Sequence, residues 1–479
     1  MLTELGPLIL QEDGQGLLRN PYAWTTLAHL LVLESPAGVG FSYCYNMTLA
    51  DPVADGDAGG CVNTDRSTAR DARAAVQDFF HSKFPSLRYN PIYITGESYA
   101  GVYVPTLTKE LLDHAKELPN IHGMAVGDPC TDNESQQQSM DMIWYAHKYG
   151  MITDDRFQML YHRCNLRIPL VTTRGEHYGD HEKNLKVAET QREALLSEYR
   201  LQRQGQRNLK HQHHGDLHML ASPSECELEY RKFLLQTSSG ISQEFAQQYI
   251  NPFALYEPVD RNYDNALYTY MNREDVQKAL HVESAPDTQW YDGVPDTNKV
   301  WEYYSEYAAC NDNAASGVPS MVEFYRDLAP RLKTTIVFNG DADPCVSYEG
   351  TRKAVAKVGF QVIPGGDYRP WFYDATAASV EVIQNKPMSF GSMLSVHDGG
   401  RQYGGHVVNY EHNLSFVTVH GSGHMVPQIR PRPALHMLHY LLKGKLLSPL
   451  YLPDDVIKAM NETMFDEYVA HWTESARKG

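Results

Sequence analysis

The stretch PIYITGESYAGVYVP, residues 91–105, joins a β-branched and aromatic run to a serine that lies between two glycines. Residues 92–95 predict a short buried strand, because β-branched and aromatic side chains suit a pleated surface. Gly96 ends that strand, and a helix-like segment begins soon after Ser98. A serine on so sharp a strand-to-helix turn has its hydroxyl pushed out of the sheet, where it can act as a nucleophile. Ser98 could equally cap the helix of an ordinary turn, so the turn by itself leaves both interpretations open.

Length and composition limit the classes of protein. The chain has 479 residues, which is long for one simple core, and 42% of them are apolar. A formal net charge of −17 argues against nucleic acids and anionic membranes as partners. Neither a membrane span nor a signal-peptide pattern is predicted. A homodimer is one candidate for the oligomeric state. The Asn-x-Ser/Thr sequons, which are glycosylation sites only on a secretory route, are Asn46, Asn133, Asn413 and Asn461.

Strand and helix patterns alternate along most of the chain, which predicts an α/β fold with a mostly parallel central sheet flanked by helices. Predicted strands cover residues 7–10, 29–33, 92–95, 121–126, 334–338 and 414–419. Predicted helices cover residues 65–84, 272–281, 321–328 and 433–443, with Asp65 as a candidate cap.

The alternation is interrupted once. We divide the chain into a first core part, 1–132, a mostly helical cap insertion, 133–266, and a second core part, 267–479. Within the insertion, residues 172–220 are strongly hydrophilic and predict an exposed excursion. Its histidines at 211, 213, 214 and 218 have no carboxylate or cysteine partner at regular spacing, which indicates a solvated linker. We therefore predict no metal site, and the sequence indicates no cofactor.

Three polar residues each follow the end of a predicted buried strand: Ser98, Asp343 and His424. Strand ends of a parallel sheet lie along one edge, where sites form. Individually, Asp343 could be a turn residue, and His424 could be a loop histidine packed beside Met425. Together, their order along the chain is that of a Ser–Asp–His triad on a hydrolase sheet, in which a base takes the serine proton and an acid holds the base.

Four segments strengthen this interpretation: ESPAGVGFSY at 34–43, GESYAGVYVP at 96–105, NGDADPCV at 339–346 and HGSGHMVP at 420–427. Together they resemble the serine carboxypeptidases, the group of carboxypeptidase Y and cathepsin A. The resemblance implies an α/β-hydrolase fold in which Ser98 attacks the peptide carbonyl, His424 is general base and acid, and Asp343 orients the imidazole. Asp343 is preferred to Asp341 because the family uses the second aspartate of its G-D-x-D turn. The backbone N–H of Tyr99 would be an oxyanion donor.

The resemblance also implies how substrate is recognised. Family members bind the free C-terminal carboxylate of a peptide with paired acidic groups, and Glu97 and Glu4 correspond to them. Two close glutamates cannot both ionise cheaply, so one stays protonated and can donate a hydrogen bond. Activity should therefore be greatest at acidic pH. Met425 is a candidate substrate-binding residue, with Tyr99 and Trp371 as further pocket walls. Each of these residues could instead belong to the core, and the two glutamates could be unrelated surface groups.

The family also carries a W-L-N-G-G-P-G-C-S-S segment ahead of the residues that correspond to LTELGP, and this chain begins three residues before Glu4. In the family, that segment supplies a second oxyanion N–H, an asparagine for the substrate carboxylate, early strands, and a cysteine that pairs with the counterpart of Cys310. We therefore expect Met1 to be an internal start, an incomplete gene model or a truncated form. We also expect this chain alone to be inactive or poorly folded and a longer product to be active.

The sequence thus predicts a serine-type carboxypeptidase that releases C-terminal residues from peptides or proteins at acidic pH. Its expected location is the secretory pathway, in a lysosome or vacuole or outside the cell. Two alternatives stay open. One is an acyltransferase of the same fold, in which an alcohol accepts the acyl group. The other is a catalytically impaired family member that acts as a binding or protective protein.

Overall fold

A computed structural model of the protein describes residues 2–11, 13–44, 61–115, 120–137, 141–166, 223–237, 254–255, 263–282, 290, 301–311, 314–374 and 401–478. Its strands are β1 (Leu8–Leu10), β2 (Leu17–Arg19), β3 (Cys61–Thr64), β4 (Ile92–Glu97), β5 (Ile121–Gly127), β6 (Trp301–Tyr304), β7 (Thr334–Gly340), β8 (Arg369–Asp374), β9 (Arg401–Asn409) and β10 (Leu414–Val419).

The α-helices of the described residues fall before, within and after the predicted insertion. They are α1 (Asp65–Asp78), α2 (Ala100–Asp113), α3 (Asn133–Gln136), α4 (Met142–Lys148), α5 (Asp154–Phe157), α6 (Pro223–Thr237), α7 (Tyr263–Met271), α8 (Glu274–Leu280), α9 (Met321–Leu328), α10 (Tyr348–Ala356), α11 (Val426–Ile429), α12 (Pro431–Lys443), α13 (Asp454–Ala459) and α14 (Glu462–Lys478). In this part of the chain, no helix is both long and apolar enough to cross a membrane.

A six-stranded sheet with the order β4-β5-β7-β10-β9-β8 forms the centre of the fold. The pairs β4–β5, β5–β7 and β7–β10 are parallel, and β9 and β8 complete the sheet in antiparallel register. Every residue of β7 is buried, as expected for a parallel strand covered on both faces. The predicted α/β class with a mostly parallel central sheet is confirmed.

The alternation of side chains along the strands divides the core into two layers. Met124, Val126 and Val337 face one layer, in which they pack with apolar side chains of α2, α9 and α10. The neighbouring positions Ala125 and Ile336 face the other layer, in which they pack with side chains of α12. Each sheet face therefore buries its own row of apolar residues, and this fixes the register of the parallel strands.

The described helices between residues 142 and 237 form a smaller apolar cluster of their own. Ile143, Tyr145 and Leu160 are buried there together with Phe233 of α6. A disulfide between Cys164 and Cys226 joins the two sides of this cluster. Residues 172–220, including the four histidines singled out in the sequence, lie outside the described residues.

One sequence-based expectation about these elements is wrong. Residues 29–33 do not form a strand, and Leu31 and Val32 are 39% and 53% exposed. A strand needs a hydrogen-bonded neighbour, and within the described part of the chain no strand pairs with this segment. The predicted helix from residue 65 is an α-helix as far as Asp78, and the chain continues as a π-helical turn, Phe79–Lys83.

The cysteine pairing also corrects an expectation. Cys310 forms a disulfide with Cys130, in the loop that follows β5, so its partner does not lie in a segment outside this chain. The Cα atoms of the two residues are 5.3 Å apart, a separation that disulfides readily span. A third disulfide joins Cys44 to Cys61, and the remaining cysteine is Cys345, a free thiol two residues after Asp343.

Candidate active site

Four adjacent parallel strands deliver polar residues to one edge of the sheet. Ser98 follows β4, Asp128 follows β5, Asp343 follows β7 and His424 follows β10. Backbone hydrogen bonds hold these ends in register, since Ser98 N donates to Gly127 O at 2.9 Å and Asp128 N donates to Phe338 O at 2.7 Å. The sheet therefore gathers residues that are up to 326 positions apart, a separation obtained from 424 − 98.

The turn between β4 and α2 has a sharp geometry at its serine. Ser98 has φ = 62°, in the left-handed region that residues other than glycine rarely adopt. Its carbonyl oxygen accepts from Gly101 N at 2.9 Å and from Cys130 N at 3.0 Å. These bonds hold the unfavourable conformation in place, a pattern that is common where a nucleophile is presented on a turn.

Gly101 is required at this turn by a close approach of two backbone segments. A Cβ at this position would lie 2.4 Å from Cys130 O and 2.7 Å from Cys130 N. Neither backbone atom can rotate away as a side chain could. The spacing G-E-S-Y-A-G, with its closing glycine one residue later than in the short motif, thus follows from packing of α2 against the loop after β5.

We expect Gly101→Ala to lower the melting temperature and to slow the labelling of Ser98 by a fluorophosphonate. Overpacking of this kind costs roughly 1–3 kcal/mol, and the displaced loop also carries the hydrogen bond to Ser98 O. Gly359→Ala is the control, because its φ of +88° imposes backbone strain but nothing lies within 4 Å of its Cβ. Equal labelling rates in the two variants would contradict this account of Gly101.

His424 and Asp343 form a buried pair. Nδ1 of His424 lies 2.8 Å from Oδ2 of Asp343. The aspartate is itself oriented by its own loop, because Oδ1 accepts from Cys345 N at 2.7 Å and Oδ2 from Val346 N at 3.2 Å. Burial alone would lower the pKa of His424, but the charge and hydrogen bond of Asp343, with the charges of Glu97 and Glu4, raise it to about 9.

The first aspartate of the G-D-x-D turn has a different partner. Oδ2 of Asp341 lies 2.7 Å from Nδ1 of His420, and its Oδ1 accepts from Gly421 N at 2.7 Å. The His420 side chain is 55% exposed, whereas that of His424 is only 6% exposed. The turn therefore builds two Asp–His pairs, of which only Asp343–His424 is removed from solvent.

Glu97 and Glu4 lie against the same pair. Burial and the charge of Glu4 hold the pKa of Glu97 well above its ordinary value, and burial likewise raises the pKa of Glu4. Oε2 of Glu97 is sealed from solvent and meets no hydrogen-bonding partner among the described residues. The backbone N–H of Val426 donates to His424 O at 3.1 Å and lowers the pKa of Glu97 only in part. A protonated Glu97 therefore has a hydrogen to donate and no acceptor for it within the described protein.

Tyr99 immediately precedes the first residue of α2, and its backbone N–H has no acceptor among the described residues. Its hydroxyl lies 2.6 Å from Ser305 Oγ and donates to Asp65 Oδ1 at 2.9 Å. Asp65 also accepts from Tyr303 OH at 2.7 Å and Glu306 N at 2.6 Å. Asp65 is thus a buried acceptor bonded to the residue that follows Ser98, and its expected capping role is wrong.

Threonine supplies the cap of α1 instead. Thr64 Oγ1 accepts from Ser67 N at 3.1 Å in a capping box.

Trp371 does not have the position expected of a pocket residue. It is fully buried in the sheet core, and its Nε1 donates to Thr418 O at 3.0 Å. It is therefore not a pocket wall. Met425, half-buried, directly follows His424 and precedes α11.

Two of the three described sequons are open to solvent. Asn413 and Asn461 are exposed. Asn133 is partly buried, and its side-chain amide donates to Asn311 O at 2.6 Å and accepts from Asn311 N at 3.2 Å. Asn46 lies outside the described residues.

Sequence reasoning missed Asp128, although it follows a buried parallel strand as the other site residues do. It is 0% exposed, and its Oδ1 accepts from Gly340 N at 2.9 Å and Asn339 Nδ2 at 3.1 Å. Ligand-type atoms of Asp128, Asp343 and His424 lie within 4.8 Å of one another, close enough to be considered for a cation. Because Nδ1 of His424 is already bonded to Asp343, we interpret this cluster as a hydrogen-bonded relay.

The family model for serine carboxypeptidases matches residues 1–444 of the sequence. The chain belongs to the serine carboxypeptidase family. The resemblance inferred from its motifs is thereby confirmed.

Relatives of the family support the same assignment. Serine carboxypeptidase-like 34 of Arabidopsis thaliana is 30% identical over 454 residues, which cover 93% of this chain and 76% of that protein. Serine carboxypeptidase-like 25 of the same plant is 29% identical, with 93% and 78% covered. The crystal structure of Kex1Δp, a prohormone-processing carboxypeptidase from Saccharomyces cerevisiae, matches with a TM-score of 0.55 at 18% identity and covers 92% of this chain and 79% of that one. This likeness supports the α/β-hydrolase fold of the family.

Proposed function

We propose that the protein is a serine-type carboxypeptidase that removes C-terminal residues from peptides at acidic pH through an acyl-enzyme on Ser98. The observation that carries this proposal is the Glu97–Glu4 pair of partly buried residues beside His424, in which Oε2 of Glu97 is sealed from solvent without a partner among the described residues. A hydrolase triad alone would serve many esters and amides. An adjacent protonated acid that lacks an acceptor is suited to bind a carboxylate.

The proposed chemical step uses Ser98 together with the His424–Asp343 pair. His424, held through Nδ1 by Asp343, takes the hydroxyl proton of Ser98 on Nε2 as the serine oxygen attacks the scissile carbonyl. The backbone N–H of Tyr99, at the N-terminus of α2, donates to the oxyanion that forms. His424 then returns the proton to the leaving amine, and water releases the acyl group by the same route in reverse.

Substrate recognition and the state of the base are linked through charge. The charges of Glu97 and Glu4 help to raise the pKa of His424. Protonation of these glutamates removes that contribution, so it favours the neutral imidazole that a general base requires. Acidification thus creates the hydrogen-bond donor for the substrate, and the loss of the two glutamate charges offsets part of the protonation that lower pH causes at His424. The hydrogen-bond donor therefore places the working range of the enzyme on the acidic side.

We expect Glu97→Gln to flatten the alkaline side of the pH profile for peptides with a free C-terminus. In the natural protein, protonated Glu97 predominates below its raised pKa, and binding weakens as the pH rises through that value. Glutamine keeps a donor at every pH. From acidic to neutral pH, KM should therefore increase in the natural protein, and the increase should be about tenfold smaller in the variant. An unchanged alkaline limb would contradict the role of Glu97.

Comparison of matched substrates tests the proposed function directly. Peptides with a free or an amidated C-terminus share every contact except the terminal charge. We expect release of the last residue only from the free form. Equal cleavage of both forms would indicate a hydrolase that does not read chain ends. Transfer of the acyl group to an added alcohol in preference to water would indicate the acyltransferase, and absence of any Ser98 labelling would indicate the binding protein.

The surroundings of the site fit this use. We infer that residues 133–266 act as a cap that limits access to chain ends, since the described helices of this stretch form a cluster separate from the sheet core. Three disulfides fit an oxidising compartment. We therefore place the protein in a lysosome or vacuole or outside the cell, with Asn413 and Asn461 as the described sequons most open to glycosylation. Peptide mass spectrometry after glycosidase treatment tests that assignment.

A further inference from the structure

Asp128 is a buried acid for which the reaction described above has no use. It lies at the end of β5 with φ = 44°, an unusual conformation for a residue other than glycine. Its two oxygens have different surroundings. Oδ1 accepts from Asn339 Nδ2 and Gly340 N, whereas Oδ2 is sealed from solvent and meets no donor among the described residues.

A carboxyl oxygen of Asp128 lies within 4.8 Å of one of Asp343, and the charge of Asp343 acts directly on Asp128. Both residues are excluded from solvent. Two carboxylates this close within a buried site cannot both carry a negative charge at reasonable cost, so they share one proton.

The surrounding donors decide which residue holds that proton. Asp343 receives three hydrogen bonds, from Cys345 N, Val346 N and His424 Nδ1. Asp128 receives two, both on Oδ1. A carboxylate is favoured where more donors point at it, and an acid proton is favoured on the oxygen that has none.

We propose that Asp128 is a positioning residue for the catalytic pair: its Oδ2 is protonated and donates a hydrogen bond to the Asp343 carboxylate, which it holds against His424. This inference deepens the proposed function and rests on it. Each oxygen of Asp128 then has a partner, and Asp343 gains a fourth donor. The bond also withdraws charge from Asp343, so it moderates the attraction of Asp343 for an imidazolium.

The other charges around Asp128 act in the same direction. Burial, the charge of Asp343 and that of Glu97 together raise the pKa of Asp128 well above its ordinary value. The Cys345 thiol is a neutral neighbour, because burial and the charges of Asp343 and Asp128 raise its pKa. His424 is a further titratable group at this edge, with Nδ1 2.8 Å from Oδ2 of Asp343, and the Asp341–His420 pair and Glu4 lie at the same edge.

The test compares Asp128→Asn with Asp128→Ala and follows the rate of Ser98 labelling by a fluorophosphonate against pH. Asparagine keeps the geometry, since its oxygen can accept from Asn339 and Gly340 while its amide donates to Asp343. We expect the acid limb of the Asn variant to coincide with that of the natural protein. In the Ala variant, labelling should slow about tenfold and the acid limb should move to higher pH, because Asp343 then attracts the imidazolium more strongly. A shift of the acid limb to lower pH in the Asn variant would show that Asp128 is ionised and overturn the proposal.

A second measurement does not depend on activity or on the stability of the Ala variant. The spectrum of the double variant Glu97→Gln, Asp128→Asn is subtracted from the spectrum of the single variant Glu97→Gln. The infrared difference spectrum at neutral pH should contain the C=O stretch of a protonated carboxylic acid. Its absence would overturn the proposal. Both readouts are independent of peptide cleavage. If peptides prove not to be substrates while the fluorophosphonate still labels Ser98, the proposed function fails. The labelling rates and infrared spectra then still decide the inference about Asp128.

Discussion

Replacing Ser98 with alanine should abolish the hydrolysis of peptides with a free C-terminus and all labelling by a fluorophosphonate. The variant loses the nucleophile but keeps the backbone bonds from Gly101 N and Cys130 N that hold the turn. We expect kcat to fall by ~10⁴–10⁶-fold. Stopped assays with mass-spectrometric detection of the released residue measure a loss of this size.

Ser347→Ala is the matched control for Ser98→Ala. Ser347 is fully buried, and its hydroxyl has no hydrogen-bonding partner among the described residues. Its removal should therefore leave both activity and melting temperature near those of the natural protein. Residual labelling in Ser98→Ala, or a loss of equal size in Ser347→Ala, would mean that another serine is the nucleophile or that the turn is only structural.

The second large effect is expected at the G-D-x-D turn, where two aspartates hold two histidines. Asp343→Asn should reduce kcat by ~10⁴-fold, because an amide no longer selects the imidazole tautomer whose Nε2 accepts the serine proton. Asp341→Asn weakens only the pair with the exposed His420. We expect that variant to lose less than about tenfold, since exposed ion pairs contribute little.

The ratio between the two asparagine variants distinguishes the aspartates better than either rate alone. Both substitutions remove one negative charge from the same turn, so non-specific electrostatic effects are similar in the two proteins. A larger loss in Asp341→Asn would reassign the orienting acid to that residue. Measurement of kcat with a saturating C-terminally free peptide at acidic pH makes the comparison.

Elements with a strong local pattern were predicted well from the sequence. The helix Met321–Leu328 and the strand Leu414–Val419 have the bounds that were expected from their periodicity. In the helix, apolar residues repeat at helical spacing, and the strand is a short buried run rich in β-branched and aromatic residues, so burial and local preference favour the same structure in each. Residues 29–33 show the limit of this reasoning, because an apolar run becomes a strand only if another strand pairs with it.

Capping at the start of α1 shows a similar limit. Thr64 and Asp65 are both residue types that cap helices, and their order along the chain does not decide between them. Thr64 takes that position, which leaves the Asp65 carboxylate to accept from Tyr99, Tyr303 and the backbone of residue 306. These partners come from segments far apart along the chain, so no local pattern could indicate them.

By itself, the sequence determined the class of the fold and the identity of the residues that carry the proposed chemistry. Strand order places Ser98, the aspartates of the G-D-x-D turn and His424 at one edge, because in a parallel sheet the end of every strand reaches the same edge. The resemblance to the family then selects Asp343 over Asp341. Ser98, Asp343 and His424 could thus be named without any contact being known.

Only the tertiary structure decided which of these groups touch and what surrounds them. It paired His424 with Asp343 and His420 with Asp341, joined Cys130 to Cys310, and placed the Asp128 carboxyl group against Asp343. Contacts of this kind depend on distances of a few ångströms between distant segments and on the exclusion of water from them. Water exclusion makes the position of one proton matter, and it arises only when the complete sheet and its helices are packed.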